Sequence, residues 1–264
     1  MPQISIPPQF TKEHARRWQD VDAAMNYAYR APYPKPLFEI LRSFIRDEPR
    51  TVLDIGCGTG NIARELASDV RRIDAIDWAA EMIDVGKGLP GGSADNIRWQ
   101  AARAEDARLD PPYALIVGGQ SLHWMEWHTI LPRFAACLTP NGVLAVASVR
   151  EPQAMPWSER LQEIIARYST AKDYVPFDMI PAWENAGLFA KTGERETAPL
   201  MFEQPIEAFI SAFHAMSTLT RAHIDSKAFD CEVRGLMQSL CADGTVRRQI
   251  IGHVVWGKPL PGTD

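Results

Sequence analysis

Two carboxylates bracket a glycine-rich turn in this chain. Asp54 sits in the apolar run Val52-Leu53-Asp54-Ile55, directly ahead of Gly56-Cys57-Gly58-Thr59-Gly60. Asp77 follows about twenty residues on, at the spacing of a ribose-binding acid. Gly56, Gly58 and Gly60 remove Cβ atoms where the backbone must bend sharply and approach a ligand closely. The N–H groups of such a turn, with a helix opening at Asn61 behind them, suit carboxylate, phosphate or ribose oxygens. A carboxylate at Asp54 repels a pyrophosphate but attracts an ammonium group. Asp77 can accept hydrogen bonds from both hydroxyls of a ribose. The pair therefore asks for one ligand with an amino-acid end and a nucleoside end. Two alternatives stay open. Gly58-Thr59-Gly60-Asn61-Ile62-Ala63 also fits the dinucleotide fingerprint of an NAD(P)-dependent oxidoreductase, and a strand-to-helix turn can exist with no ligand at all.

On these residues the chain resembles the class I S-adenosylmethionine-dependent methyltransferases, in the branch acting mostly on small molecules. S-adenosylmethionine satisfies both acidic positions. The resemblance implies cofactor contacts from Asp54, Gly56, Cys57, Gly58 and Gly60 in the loop and from Asp77 at the ribose. It places the backbone of Ala104 and the side chain of Glu105 at the adenine edge, and Tyr29 and Arg30 on an arm over the methionine end. Trp78 either stacks on adenine or packs under the next helix. Gln120-Ser121-Leu122-His123-Trp124 is similar to the Leu-His-Trp signature of this branch. Gly118, Gly119 and Gln120 then lie beside the sulfonium. His123 is either a catalytic base or a histidine anchoring the helix start. Two positions depart from the family pattern: Arg103 replaces a common aspartate near the adenine, and Ala114 replaces an aspartate early in the fourth strand. The departures feed a third alternative, a non-catalytic methyltransferase-like binding protein. Enzymes methylating carboxylates such as trans-aconitate, and enzymes tailoring natural products, look alike at this level. Trp18, Tyr27, Trp124, His214 and Ser217 are the candidates for contacting a small-molecule acceptor. Arg150 and Arg221 are weak candidates for a polycarboxylate site.

The elements that must position these residues follow from periodicity. Helices are expected at Glu13 to Asp20, Leu37 to Ile45, Asn61 to Ser68, Ala79 to Lys87 and Trp124 to Leu138. Strands are expected at Val52 to Ile55, Arg72 to Asp77, Ile97 to Ala101, Tyr113 to Gly119 and Val143 to Val149. Thr139-Pro140-Asn141-Gly142 carries turn chemistry. Beyond it come helices at Trp157 to Tyr168, Ile180 to Ala186, Ile206 to Leu219 and Lys227 to Cys241, with strands at Arg195 to Phe202 and Arg248 to Trp256. Together these predict an α/β, doubly wound, mostly parallel sheet of seven strands under a helical cap, and the resemblance implies that it is Rossmann-like with one antiparallel strand. One domain is expected over 1–264, with an arm or lid over 1–48 and cap elements over 150–192 and 204–242.

Composition bounds the partners. Of 264 residues, 46% are hydrophobic and 23% charged, with a net charge of −5. That balance argues against a nucleic-acid backbone as partner, which needs clustered Lys and Arg. Cys57, Cys137, Cys231 and Cys241 form no metal-ligand spacing, so no metal is expected. Reduced thiols, no apolar leader in Met1 to Phe10 and no run of membrane-spanning length lead to the expectation of a cytoplasmic monomer or homodimer.

Overall fold

The computed structural model describes residues 7–262. The first six residues of the expected arm, and of the proline-rich Met1 to Phe10 stretch, lie outside that range.

Five short apolar runs pair in parallel as β1 (Thr51–Ile55), β2 (Arg72–Asp77), β3 (Ile97–Ala101), β4 (Tyr113–Gly119) and β5 (Leu138–Arg150), in the order β3-β2-β1-β4-β5. Every residue of β1 is buried, as a strand covered on both faces requires. Val52 faces one apolar layer together with Ile73 and Ala145, whereas its neighbour Leu53 faces the other with Ile116 and Leu144. Helices α3 (Lys35–Arg42) and α4 (Asn61–Leu66) cover the first face through Leu37, Leu41, Ile62 and Leu66. Helix α6 (Trp127–Cys137) covers the second through Ile130, Leu131 and the fully buried Phe134. Burying a side chain of that size is worth about 1.5–3 kcal/mol. The winding reverses between β1 and β4, and the carboxyl ends of these two strands open the crevice where such sheets bind ligands.

The far side holds an antiparallel addition. Strand β8 (Thr245–Pro259) runs opposite to β5 and pairs on its other edge with β6 (Phe189–Glu196) and β7 (Leu200–Pro205). The expected sixth strand at Arg195 to Phe202 is thus two strands meeting at a break. Thr197 fills the break by donating its N–H to the Gly252 carbonyl (2.8 Å) and accepting the Gly252 N–H at its Oγ1 (2.9 Å). The sheet has eight strands rather than seven for this reason. The early half, Phe189–Glu196, is mostly exposed, and its charged residues hide the strand signal.

Other boundaries also differ from expectation, among them the helix expected over Ile206 to Leu219, which ends at His214. The Thr139 to Gly142 segment does not separate α6 from β5; it bulges within β5, where the register jumps between Tyr113–Leu138 and Leu115–Val143. Helix α6 starts at Trp127, after a tight turn over Leu122–Trp124 whose Leu122 carbonyl accepts the Trp127 indole N–H (2.7 Å). The expected helix at Glu13 to Asp20 is instead α1 (Lys12–Arg16) and a single turn, followed by α2 (Val21–Asn26), begun by the Asp20 side chain accepting the Asp22 N–H. Helix α5 (Ala80–Gly88) follows β2.

A separate apolar cluster builds the cap. Helices α7 (Ser158–Tyr168), α9 (Ile206–His214) and α10 (Ser226–Leu240) close on Phe209, Phe229, Val233 and Met237, with Val246 of β8 beneath them. Helix α8 (Met179–Asn185) instead packs Trp183 into the sheet layer, edge-on to Trp127 and Phe189. No helix of the described residues is long and apolar enough to cross a membrane.

Candidate active site

A cavity of about 350 Å³ opens at the carboxyl ends of β1, β2 and β4. Its floor is the turn after β1. Gly56, Gly58 and Gly60 all adopt positive φ, +66°, +55° and +74°. At Gly60 a Cβ would strike the ring of Trp99, which is pinned by its indole N–H donating to the Gly92 carbonyl (3.0 Å). At Gly56 it would strike Ser121, whose hydroxyl donates to the Ile55 carbonyl (2.7 Å). Those two glycines answer to packing partners within the protein. Gly56 and Gly58 also line the cavity; Gly60 does not.

The two acids sit where the strands deliver them. Asp54 is 1% exposed. Its Oδ2 accepts the Ala63 N–H of α4 (2.9 Å), while Oδ1 is buried without a partner. Burial raises the Asp54 carboxyl to about 7, against the Ala63 hydrogen bond, and the neighbouring Asp77 adds to the rise. Asp77, at the end of β2, accepts the Gly58 N–H at Oδ2 (2.8 Å) and the Ala79 N–H at Oδ1 (2.9 Å). Its pKa is also raised by burial, with these amide bonds opposing. The Trp78 N–H also reaches the carboxylate, and its oxygens retain acceptor capacity for a further donor. An orphaned buried carboxylate oxygen beside a half-satisfied one fits a ligand that brings a cation and hydroxyl donors.

Trp78, Ala104 and Glu105 line the same wall, with Met82. Glu105 accepts the Glu126 N–H at Oε1 (2.8 Å) and the Arg103 guanidinium at Oε2 (3.3 Å), so Arg103 is turned onto its neighbour. Arg133 of α6 fastens this turn from behind. It donates to the carbonyls of Ala104 (2.7 Å), Glu105 and Ala107 (2.8 Å). Gln120 lines the opposite wall at a positive φ of +54°, unusual for a non-glycine residue, and its N–H donates to the Ala147 carbonyl (3.0 Å). Strain of this kind is characteristic of ligand sites.

The arm lines one side of the cavity. Phe10, Trp18, Tyr27 and Arg30 reach the cavity together with His123 and Trp124. Burial, reinforced by the Arg30 charge, lowers His123 to about 4, so its ring is neutral at pH 7. Tyr27 is raised by burial, and the charges of Asp77 and Asp54 reach it. The arm is latched to the cap. Arg17 donates to the Ser217 carbonyl (3.0 Å) and the Thr170 hydroxyl, and Gln9 donates to the Val175 carbonyl (2.7 Å).

Several sequence candidates lie elsewhere. Tyr29 is 45% exposed and off the cavity, because the single turn Tyr27–Tyr29 sends Tyr27 inward and Tyr29 outward. Tyr33 packs its hydroxyl against Gly119 instead. His214 is fully buried in the cap, its ring nitrogens 2.8 Å from the Leu219 carbonyl and 2.7 Å from an Asp230 carboxylate oxygen. Ser217 is buried and serves the arm through its carbonyl. Cys57 lies buried in the loop, its thiol pushed well up by burial. Arg221 is committed to Asp22 and Asp230, and Arg150 is exposed away from the cavity. Phe10, Met82 and Arg133 were not singled out in the sequence, since nothing in their local pattern marks them apart from packing.

A glycine turn after β1, an acid at the end of β2 and an antiparallel strand beside β5 define a Rossmann-like fold of the methyltransferase kind. Residues 52–142 match the methyltransferase domain family. An uncharacterized methyltransferase-like protein of Schizosaccharomyces pombe is 31% identical over 175 residues, covering 65% of either chain. A trans-aconitate 2-methyltransferase of an Acidovorax species is 31% identical over 134 residues, 48% of this chain and 49% of that one. The chain thus spans about two thirds and about half of these relatives. In fold it is similar to a phosphoethanolamine N-methyltransferase of Haemonchus contortus solved with S-adenosylhomocysteine. That match has TM-score 0.54 and 16% identity, over 95% of this chain and 60% of the other. Residues 52–142 thus carry a methyltransferase domain of the class I S-adenosylmethionine-dependent kind, whose cofactor is S-adenosylmethionine.

Proposed function

We propose that this protein transfers the methyl group of S-adenosylmethionine to an oxygen of a small-molecule acceptor, with a carboxylate favoured. The observation that carries the cofactor half is the buried, partnerless Asp54 Oδ1 beside Asp77. Asp54 would hold the ammonium group and Asp77 the ribose hydroxyls, with Trp78, Ala104 and Glu105 around the base. Bound S-adenosylmethionine supplies a methyl group on positively charged sulfur, an electrophile strong enough to need no activation by the protein. The chain's work is then to align the acceptor and exclude water, which can be worth about 7–11 kcal/mol of barrier. His123 is neutral but, near pKa 4, a feeble proton acceptor. An acceptor already ionised at neutral pH needs no base, and a carboxylate meets that condition. The latched arm supplies the water exclusion, and the segments over 150–192 and 204–242 act on the site through that latch, since none of their residues lines the cavity.

Calorimetry of the full chain with S-adenosylhomocysteine tests the cofactor half. Saturable binding is expected, weakened at least about tenfold in Asp77→Asn. No heat with either the methylated or the demethylated form would refute the proposal.

A further inference from the structure

A turn carrying three glycines cannot hold its own shape, because glycine backbone adopts either sign of φ with little penalty. Gly56, Gly58 and Gly60 are all at positive φ, and the Gly58 N–H fixes Oδ2 of Asp77 (2.8 Å). The turn must therefore be braced from outside, and residues that do not line the cavity brace it. Arg64, one turn into α4, points its side chain back toward the helix start, as helical Cβ atoms do. Its guanidinium donates to three acceptors: the Thr59 carbonyl in the turn (3.1 Å), the Asn61 side-chain oxygen (2.7 Å) and the Pro90 carbonyl beyond α5 (2.9 Å). None of the three is charged, so what Arg64 supplies there is the shape of its fork.

The Pro90 end of that fork belongs to a glycine-rich segment, residues 86–92, none of which lines the cavity. A Cβ at Gly86 would lie 2.6 Å from the Thr59 carbonyl oxygen, and one at Gly92 would lie 2.0 Å from the Gly86 carbonyl oxygen. Neither glycine is in the left-handed region, so what they permit is close approach, with the backbone of α5 directly against the turn. The Gly92 carbonyl then accepts the Trp99 indole N–H (3.0 Å), and that ring fills the space beside Gly60. Arg64, Gly86 and Trp99 thus meet the turn at Thr59 and Gly60, the two residues that follow Gly58.

We infer that Arg64 is a positioning residue for the ribose acid: backed by residues 86–92, it holds the turn so that the Gly58 N–H keeps Asp77 aimed. This rests on the reading that Asp77 takes the ribose hydroxyls. Without the fork, the Thr59 carbonyl is free to swing between two glycines, and Asp77 loses a fixed partner while keeping its charge. The loss then falls on the one contact that Asp77 makes with the cofactor. Lysine does not substitute, since a compact ammonium on a flexible stem lacks the flat fork that reaches three acceptors at once.

The test is a double-mutant cycle, read by calorimetry of the full chain with S-adenosylhomocysteine. Arg64→Met should weaken binding about tenfold in the wild-type background and less than about threefold in Asp77→Asn, where the contact it serves is already gone. Arg64→Lys should stay within about threefold of Arg64→Met. Arg42→Met is the control. It removes a guanidinium held by Asp69 (2.7 Å) and the Glu65 carbonyl (3.3 Å) on the same layer, and should leave affinity within about threefold of wild type. No loss in Arg64→Met, equal losses in both backgrounds, recovery with lysine, or an equally steep loss in Arg42→Met overturns the inference while the ribose assignment stands. Asp77→Asn binding as tightly as wild type overturns that assignment, and the inference with it.

Discussion

Asp54 is costly to the empty protein and useful to the filled one. Its carboxyl stands near 7 in the fold against an ordinary 3.8, so the folded chain holds a proton there that the unfolded chain has released. Between about pH 4 and pH 7 the native state therefore binds the extra proton, and stability from this group declines as pH rises through that window. A bound ammonium group favours the ionised form, so ligand uptake below pH 7 must expel the proton. Affinity for S-adenosylhomocysteine should consequently rise with pH up to about 7 and then level off, with roughly tenfold weaker binding at about pH 5.5 than at about pH 7.5. Titrations across that range would show it. In Asp54→Asn the curve should be flatter and lower throughout. An unchanged slope would move the proton to another group.

At the scale of elements, the arm beside the cavity is fastened from the cap side. Arg17 is buried and joins α1 to the loop after α7 and to the Ser217 carbonyl after α9. Removing it leaves a buried carbonyl without its donor, a loss of about 1–3 kcal/mol. Because the arm makes few other polar contacts, most of that loss should appear as local opening. Arg17→Ala is expected to raise amide exchange over residues 12–30 about tenfold or more, while β1 and β4 keep their protection. Exchange measured by mass spectrometry on the two proteins distinguishes this from global loosening. The Arg133 clasp on Ala104, Glu105 and Ala107 plays the matching role for the adenine-side turn, from the opposite layer.

For the molecule as a whole, the cavity lies between the carboxyl ends of the parallel sheet and the arm, so ligand binding should stabilise the two together. A ligand at a hundredfold over its dissociation constant adds about 2.7 kcal/mol to the folded state. Thermal unfolding with S-adenosylhomocysteine at that excess should therefore shift upward by a few degrees. NAD at the same concentration should leave the midpoint where it was, because Asp54 opposes a pyrophosphate. A shift with NAD and none with S-adenosylhomocysteine would restore the dinucleotide alternative.

What was legible in the sequence is local chemistry. The apolar run of β1, the acid inside it, the glycine turn and the acid closing β2 are each written within a few residues, and strand and turn preferences act over that same short range. The parallel core and its crevice follow from them. The tertiary structure decided what meets across distance. Tyr27 rather than Tyr29 faces the cavity because one tight turn divides them. His214 has the spacing of a pocket residue but is buried edge-on to Phe229 of the cap, between the Leu219 carbonyl and Asp230. Arg17 meets a threonine 153 residues away. Apolar periodicity says that a side chain is covered and is silent on what covers it, since core and pocket draw on the same hydrophobic gain.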